Sequence, residues 1–112
     1  MKTLFKTLLA TLAIVALTSS VASADAKKGQ KYYLKKLKVC KKNGLKNGAV
    51  FATKHTRREW SALQESGKLM GEWQNICPSG TQKFTKMKDK DINNLYDFVY
   101  KYAADGDVPS CG

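Results

Sequence analysis

The sequence predicts an all-α domain, and three observations carry that expectation. Apolar residues recur at steps of three and four in separate stretches, which is the period of a helix face. No stretch alternates apolar and polar residues at period two for long enough to make a strand. Stop signals close the periodic stretches: Gly44 after the first, Pro78 after the middle, Gly106 after the last.

Residues 1–24 read as an export signal and stand apart from the fold. Lys2 and Lys6 make a charged start, Leu8 to Leu17 an apolar run, and Ala22-Ser23-Ala24 the small residues that signal peptidase requires. Ala24-Asp25-Ala26 offers a second cleavage site two residues on. The apolar run is about half of the ~20 residues that span a bilayer, and no later run is longer. The product is therefore expected to be exported, soluble and not membrane-spanning. The short charged start and the Ala-Ser-Ala site point to a bacterial periplasm. Residues 25–112 then make one domain, short enough that a disulfide or a cofactor would matter to its stability.

Within that domain, residues 28–42 predict an amphipathic helix. Tyr33, Leu34, Leu37 and Cys40 fall at i, i+1, i+4 and i+7, with Lys31, Lys35, Lys38 and Lys42 between them. Lysines in the last turn followed by Asn43-Gly44 stop it. Residues 44–55, with Asn47-Gly48 and a short apolar patch, predict an ordered loop anchored by Phe51. Thr56-Arg57-Arg58-Glu59 is a capping box: the threonine hydroxyl accepts from the amide three residues on, and the glutamate reaches back. Helices are expected near 57–66 and 68–76, divided by Gly67. Trp60, Leu63, Leu69, Met70, Trp73 and Ile76 supply their apolar positions. A polar loop follows over 78–88, carrying Phe84 and Met87. The last helix is expected from Asp89 to Ala104, with Ile92, Leu95, Phe98 or Val99, and Tyr102 on one face, and Asp89 and Asp91 at the end that favours anions.

Charge is uneven. The formal net charge is +11, and every charged residue from Lys27 to Arg58 is basic, while acids outnumber bases from Glu59 onward. Such asymmetry suits an anionic partner. Two of the three cysteines are expected to pair in an oxidising compartment. Cys77, in Cys77-Pro78-Ser79-Gly80, and Cys111, in Pro109-Ser110-Cys111-Gly112, both stand in loop-like contexts, which favours Cys77 with Cys111 and leaves Cys40 as the free thiol. The other two pairings stay open.

Gly29, an aromatic four positions on at Tyr33, and Cys40 stand where a class I cytochrome c places its opening glycine, its aromatic and the second cysteine of its C-x-x-C-H box. Lys88-Asp89-Lys90-Asp91-Ile92-Asn93-Asn94-Leu95 is close to that family's last-helix opening. The chain resembles a class I cytochrome c, and more narrowly the small periplasmic proteins described as cytochrome c-like. Their His-Thr-x-x-Glu-Trp, Ile-Cys-Pro and Pro-Ser-Cys stretches match His55–Trp60, Ile76–Pro78 and Pro109–Cys111. The resemblance implies three to four helices, the first and last crossing through Gly29, Tyr33 and either Tyr102 or Phe98.

The departures from that family direct the function. Leu37 stands for the first cysteine of the box and Lys41 for the iron-ligating histidine, so only Cys40 could form a thioether. If haem were held, the resemblance offers Lys41, His55, Met70 or Met87 as axial ligands. Met70 and Met87 read better as packing residues, and His55 as a turn residue that orients Thr56. Trp60 and Trp73, with Phe51, Tyr33, Phe98 and Tyr102, are expected to fill the volume a porphyrin would take. A single histidine and scattered cysteines give no tetrahedral metal site. No G-x-S-x-G, no His/Asp pair at helical spacing and no glycine-rich strand-to-helix loop is present, so no enzyme is expected.

The sequence thus leads to a monomeric, basic periplasmic binding or accessory protein, cytochrome c-like but without covalent haem. It would meet an acidic protein face or an anionic envelope surface through Lys31, Lys35, Lys38 and Lys42, with no specific nucleic acid. The alternatives are an electron carrier holding haem through Cys40 alone, and a thiol-based role centred on Cys40.

Overall fold

Asp25 starts the first helix, α1 (Ala26–Lys36), by accepting a hydrogen bond from the Lys27 amide at 2.8 Å. Its own amide donates to Asn94 Oδ1 in the last described helix, α6 (Asp89–Lys101), at 2.9 Å, so the first and last described helices meet at the first described residue. The computed structural model describes residues 25–108. Among the described residues there are α-helices and 3₁₀ turns and no strand, as the sequence predicts. The proposed export signal over residues 1–24, and Cys111 with its neighbours, lie outside them.

α1 and α6 cross at Gly29. A Cβ there would lie 2.0 Å from the Asn94 carbonyl oxygen and 2.8 Å from Phe98 Cβ, so only glycine lets the backbones approach this closely. The Tyr33 and Phe98 rings stack across the same crossing with centroids 6.4 Å apart. Phe98, rather than Tyr102, is the aromatic at the contact; Tyr102 packs behind it at 5.4 Å.

The helix expected over 28–42 is divided. α1 ends at Lys36, Leu37 leaves helical geometry at φ −112 and ψ 28, and a 3₁₀ turn runs over Lys38–Asn43 until Gly44 closes it at φ 80. Leu37 and Cys40 remain fully buried, because the tighter turn keeps residues three apart on one side. Leu34, placed by periodicity on the buried face, is instead 50% exposed. The expected loop after it contains one short helix, α2 (Gly48–Ala52), because Asn47 Oδ1 caps the Val50 amide at 3.0 Å. Phe51 anchors it, fully buried.

α3 (Arg57–Glu65) begins with the capping box the sequence predicts, both hydrogen bonds present. Gly67, at φ 74, separates it from α4 (Leu69–Ile76). The stretch read as a polar loop holds a 3₁₀ turn (Pro78–Gly80) and a short helix, α5 (Thr81–Thr85), which seats Phe84 in the core. α6 ends at Lys101, three residues short of the expected Ala104. There Arg57 takes over its free carbonyls: Nε donates to Tyr100 O at 2.9 Å and Nη2 to Lys101 O at 3.1 Å. These are acceptors a helix end leaves without partners of its own.

The core is aromatic. Phe51 is its hub, with ring centroids 5.1 Å from Tyr33 and 6.4 Å from each of Trp60, Trp73 and Phe84. Trp60 Nε1 donates to Ala52 O at 2.9 Å, fixing the indole while its rings supply apolar contact.

The disulfide joins Cys40 to Cys77, with Cα atoms 5.4 Å apart. This corrects the Cys77–Cys111 pairing and the free thiol at Cys40. Loop-like context says where a cysteine is permitted; pairing requires that two backbones approach within about 7 Å. The 3₁₀ turn at Cys40 and the one after Cys77 achieve that by packing on each other. Gly80 lies over the bridge, where a Cβ would sit 3.0 Å from Cys77 Sγ and 3.5 Å from Cys40 Sγ. Both sulfurs are fully buried, so the thiol-based role at Cys40 has no thiol to act through.

Candidate functional site

The helix that buries Gly29 and Tyr33 turns its remaining positions outward, and those positions are lysines. Lys31, Lys35, Lys38 and Lys42 are all exposed, as are Lys27, Lys28, Lys36, Lys41 and Lys46. Among the described residues, ion pairs within 4.0 Å involve only His55 and Arg57, so these ammonium groups have no described carboxylate partner. Lys35 and Lys36 occupy the last turn of α1, where the helix dipole favours cations and holds the charge in place.

The division of the first helix distributes this charge over two clefts. The larger, about 350 Å³, lies between α1 and α6, with Lys28, Lys31, Lys35 and Lys36 on one wall and Lys90 on the other. Asp91 is in its rim; burial first, and the Asp91 charge second, push the Tyr32 phenol above its ordinary value. The smaller, about 130 Å³, lies where α1 gives way to the 3₁₀ turn. Leu34, Leu37 and Tyr33 are its apolar wall, and Lys38, Lys41 and Lys46 are at its edge. The structure therefore brings Lys31 and Lys35 together in one cleft and sets Lys38 in the other, while Lys42 lines neither. Lys46, Asn47 and Lys90 join these walls from parts of the chain that helical periodicity did not connect to α1. The basic run itself was the only signal for Lys46.

The residues at the haem-box positions do not fit covalent haem. Cys40 Sγ is bonded to Cys77 and has no valence for a thioether. Leu37 is buried, and Lys41 stands exposed at the smaller cleft. Both nitrogens of His55 are engaged, Nδ1 with Glu59 Oε1 at 3.2 Å and Nε2 with Glu72 Oε2 at 2.6 Å, and its ring makes a T-shaped contact with Trp60, centroids 4.8 Å apart. His55 thus ties the loop before α3 to α3 and to α4, a wider role than orienting Thr56. Met70 and Met87 pack half-buried against the core. Trp73 Nε1 and the Tyr33 hydroxyl are buried without a hydrogen-bond partner among the described residues.

No protein-family model, curated protein or solved structure matches the chain.

Proposed function

We propose that this chain is an exported, periplasmic, cytochrome c-like protein that works by binding, without covalent haem and without an enzymatic reaction of its own. The observation that carries the reading is the lysine face of α1 and the turn after it, whose ammonium groups have no carboxylate partner among the described residues. Charges with no internal partner keep their field for an approaching surface, and such a field raises the association rate and selects an anionic face. The partner is an acidic protein face or an anionic envelope surface, met by the protein as a monomer through Lys31, Lys35, Lys38 and Lys42. The bridged state of Cys40 supports the haem-free part of the reading, because the thioether and the disulfide compete for one sulfur.

Two measurements test it. Sedimentation with vesicles containing anionic lipid, repeated at rising salt, should show binding that falls steeply, since exposed charges are screened within ~10 Å at 0.1 M. Binding insensitive to salt would remove the charge argument. An absorption spectrum of protein exported to the periplasm should show only Trp and Tyr absorbance. A reduced α-band near ~550 nm that survives acid-acetone would instead establish the electron carrier.

A further inference from the structure

Asp25, the first described residue, is held in the fold by three hydrogen bonds. Its side chain accepts from the Lys27 amide at 2.8 Å, its carbonyl accepts from the Gly29 amide at 3.1 Å, and its own nitrogen donates to Asn94 Oδ1 in α6 at 2.9 Å. The sequence offers two export cleavage sites, after Ala24 and after Ala26. Their products are not equivalent. A cut after Ala26 removes Asp25 and all of these bonds, and so takes away the cap of α1 and a tie to α6 near the crossing. A cut after Ala24 keeps them and turns the nitrogen that meets Asn94 into a free amine. The surroundings of that nitrogen are anionic. Asn94 and Asp97 stand one turn apart on one face of α6. Burial first, and the Asp25 carboxylate second, push the Asp97 carboxyl above its ordinary value. Neither Asp25 nor Asp97 has an ion-pair partner within 4.0 Å among the described residues. The other charged groups beside Asn94 are those of the larger cleft, Lys28, Lys90 and Asp91 nearest in the chain.

We infer that the chain is cut between Ala24 and Asp25, and that the α-ammonium group so released is a structural part of the mature fold, held by Asn94 Oδ1 beside the Asp97 carboxylate. This role of the amine rests on the export proposed above and goes beyond it. In the cut, carried out by signal peptidase, water gives its hydroxyl to the Ala24 carbonyl carbon and a proton to the Asp25 nitrogen. The amine then takes one more proton, since α-amines are charged below about pH 7.7–8.0. One N–H donor becomes three: one stays on Asn94 Oδ1, and the others serve the carboxylates of Asp25 and Asp97. The dipole of α1 disfavours a cation at this end of the helix, and the two carboxylates oppose that effect. The uncut precursor has an amide here and lacks the charge. The clasp of α1 on α6 therefore reaches full strength only after the leader is removed.

Two measurements test this. The full chain is expressed with its leader, and the intact mass of the recovered protein reads the cut; the expected mass is that of residues 25–112. A chain that begins at Lys27 would overturn the inference alone, whereas an uncut chain would overturn the export reading together with it. The role of the amine is read from four proteins at about pH 7, where an α-amine is charged. They are the chain from Asp25 and the same chain preceded by Gly-Ser, each with Asp97 and with Asp97→Asn. The Gly-Ser form keeps the amide that donates to Asn94 and moves the charge away. Urea unfolding should give a folding constant about fivefold larger for the free amine than for the Gly-Ser form, and less than twofold larger once Asp97 is replaced. The same ratio in both backgrounds, or no gain from the free amine, would overturn the ammonium contact.

Discussion

Replacing Gly29 by alanine tests the central contact of the fold, and the expected sign is opposite to the one that helix propensity gives. Alanine is favoured over glycine inside a helix by ~1 kcal/mol. At Gly29, however, the added Cβ would lie 2.0 Å from the Asn94 carbonyl oxygen, where ordinary contact begins near 3.4 Å. The obstacle is backbone in a neighbouring helix and cannot rotate away, so α1 and α6 must separate by roughly the difference, on the order of 1 Å. That separation loosens the Tyr33–Phe98 stack and the Asp25–Asn94 hydrogen bond at the same crossing. Overpacking into yielding cores costs about 1–3 kcal/mol, occasionally more, and a rigid backbone belongs at the upper end. After the propensity gain, Gly29→Ala should destabilise by about 2 kcal/mol, a fall of roughly 8–16 °C in Tm for a domain of this size. Gly71→Ala is the control. Gly71 is also helical, and a Cβ there meets nothing within 4 Å, so that variant should gain a few tenths to 1 kcal/mol. Urea unfolding of both variants followed by circular dichroism decides the matter. A Gly29→Ala protein as stable as the parent would refute the close crossing.

Three further outcomes follow from other parts of the molecule. Peptide mapping without reduction should recover Cys40 and Cys77 in one linked pair, and Cys40→Ala/Cys77→Ala should lose about 4 kcal/mol, the loop-closure term for a sequence separation of 37; a linked pair containing Cys111 would contradict the bridge. Burial pushes the Tyr33 phenol up to about 12, so the folded state keeps its proton while unfolded tyrosine ionises from pH 10. Stability attributable to Tyr33 is then complete below pH 10 and declines toward pH 12 by about 2–3 kcal/mol, a limb that Tyr33→Phe should remove when unfolding is followed against pH. The Glu59 carboxyl is held below its ordinary 4.5, first by the Thr56 amide and next by His55. Its contribution is present above pH 4.5 and is lost as pH falls through the lowered value, whereas Asp97, raised by burial and then by Asp25, acts in the opposite sense. Melting temperatures from pH 5 to 3 should therefore fall less in Glu59→Gln than in the parent, and parallel curves would show that the cap carries no pH dependence.

Much of the helical layout was legible because local signals set it. The Thr56–Glu59 capping box, the break at Gly67 and the apolar face of the last helix all act within a few residues. Sequence periodicity carried Leu37 and Cys40 into the first helix because a 3₁₀ turn preserves their side of the chain; only the dihedral change at Leu37 distinguishes the two, and that is imposed by packing. Leu34 fails for a related reason: it stays half-exposed because no element among the described residues packs over it. The helix at Gly48–Ala52 had a signal in Asn47, which serves as a cap as readily as a turn residue. Cysteine pairing was not legible at all, since it depends on which turns pack together. The lysine face was read directly from the charge run. Its partition into two clefts was not, because Lys90 arrives from the other end of the chain.

The bridge and the helix crossing also divide the labour of holding the molecule shut. Cys40 and Cys77 close a ring that contains α2, α3 and α4, while α1 and α6 lie outside it and clasp each other at Gly29. A protease nick anywhere between Lys41 and Ile76 would therefore release no fragment until the bridge is reduced. A nick in the stretch between Cys77 and Asp89 would leave the last helix held by non-covalent contacts alone, the crossing with α1 and the Arg57 hydrogen bonds to Tyr100 O and Lys101 O among them. The covalent ring thus protects the aromatic middle, and outside it the chain stays whole through non-covalent packing, the close crossing at Gly29 foremost.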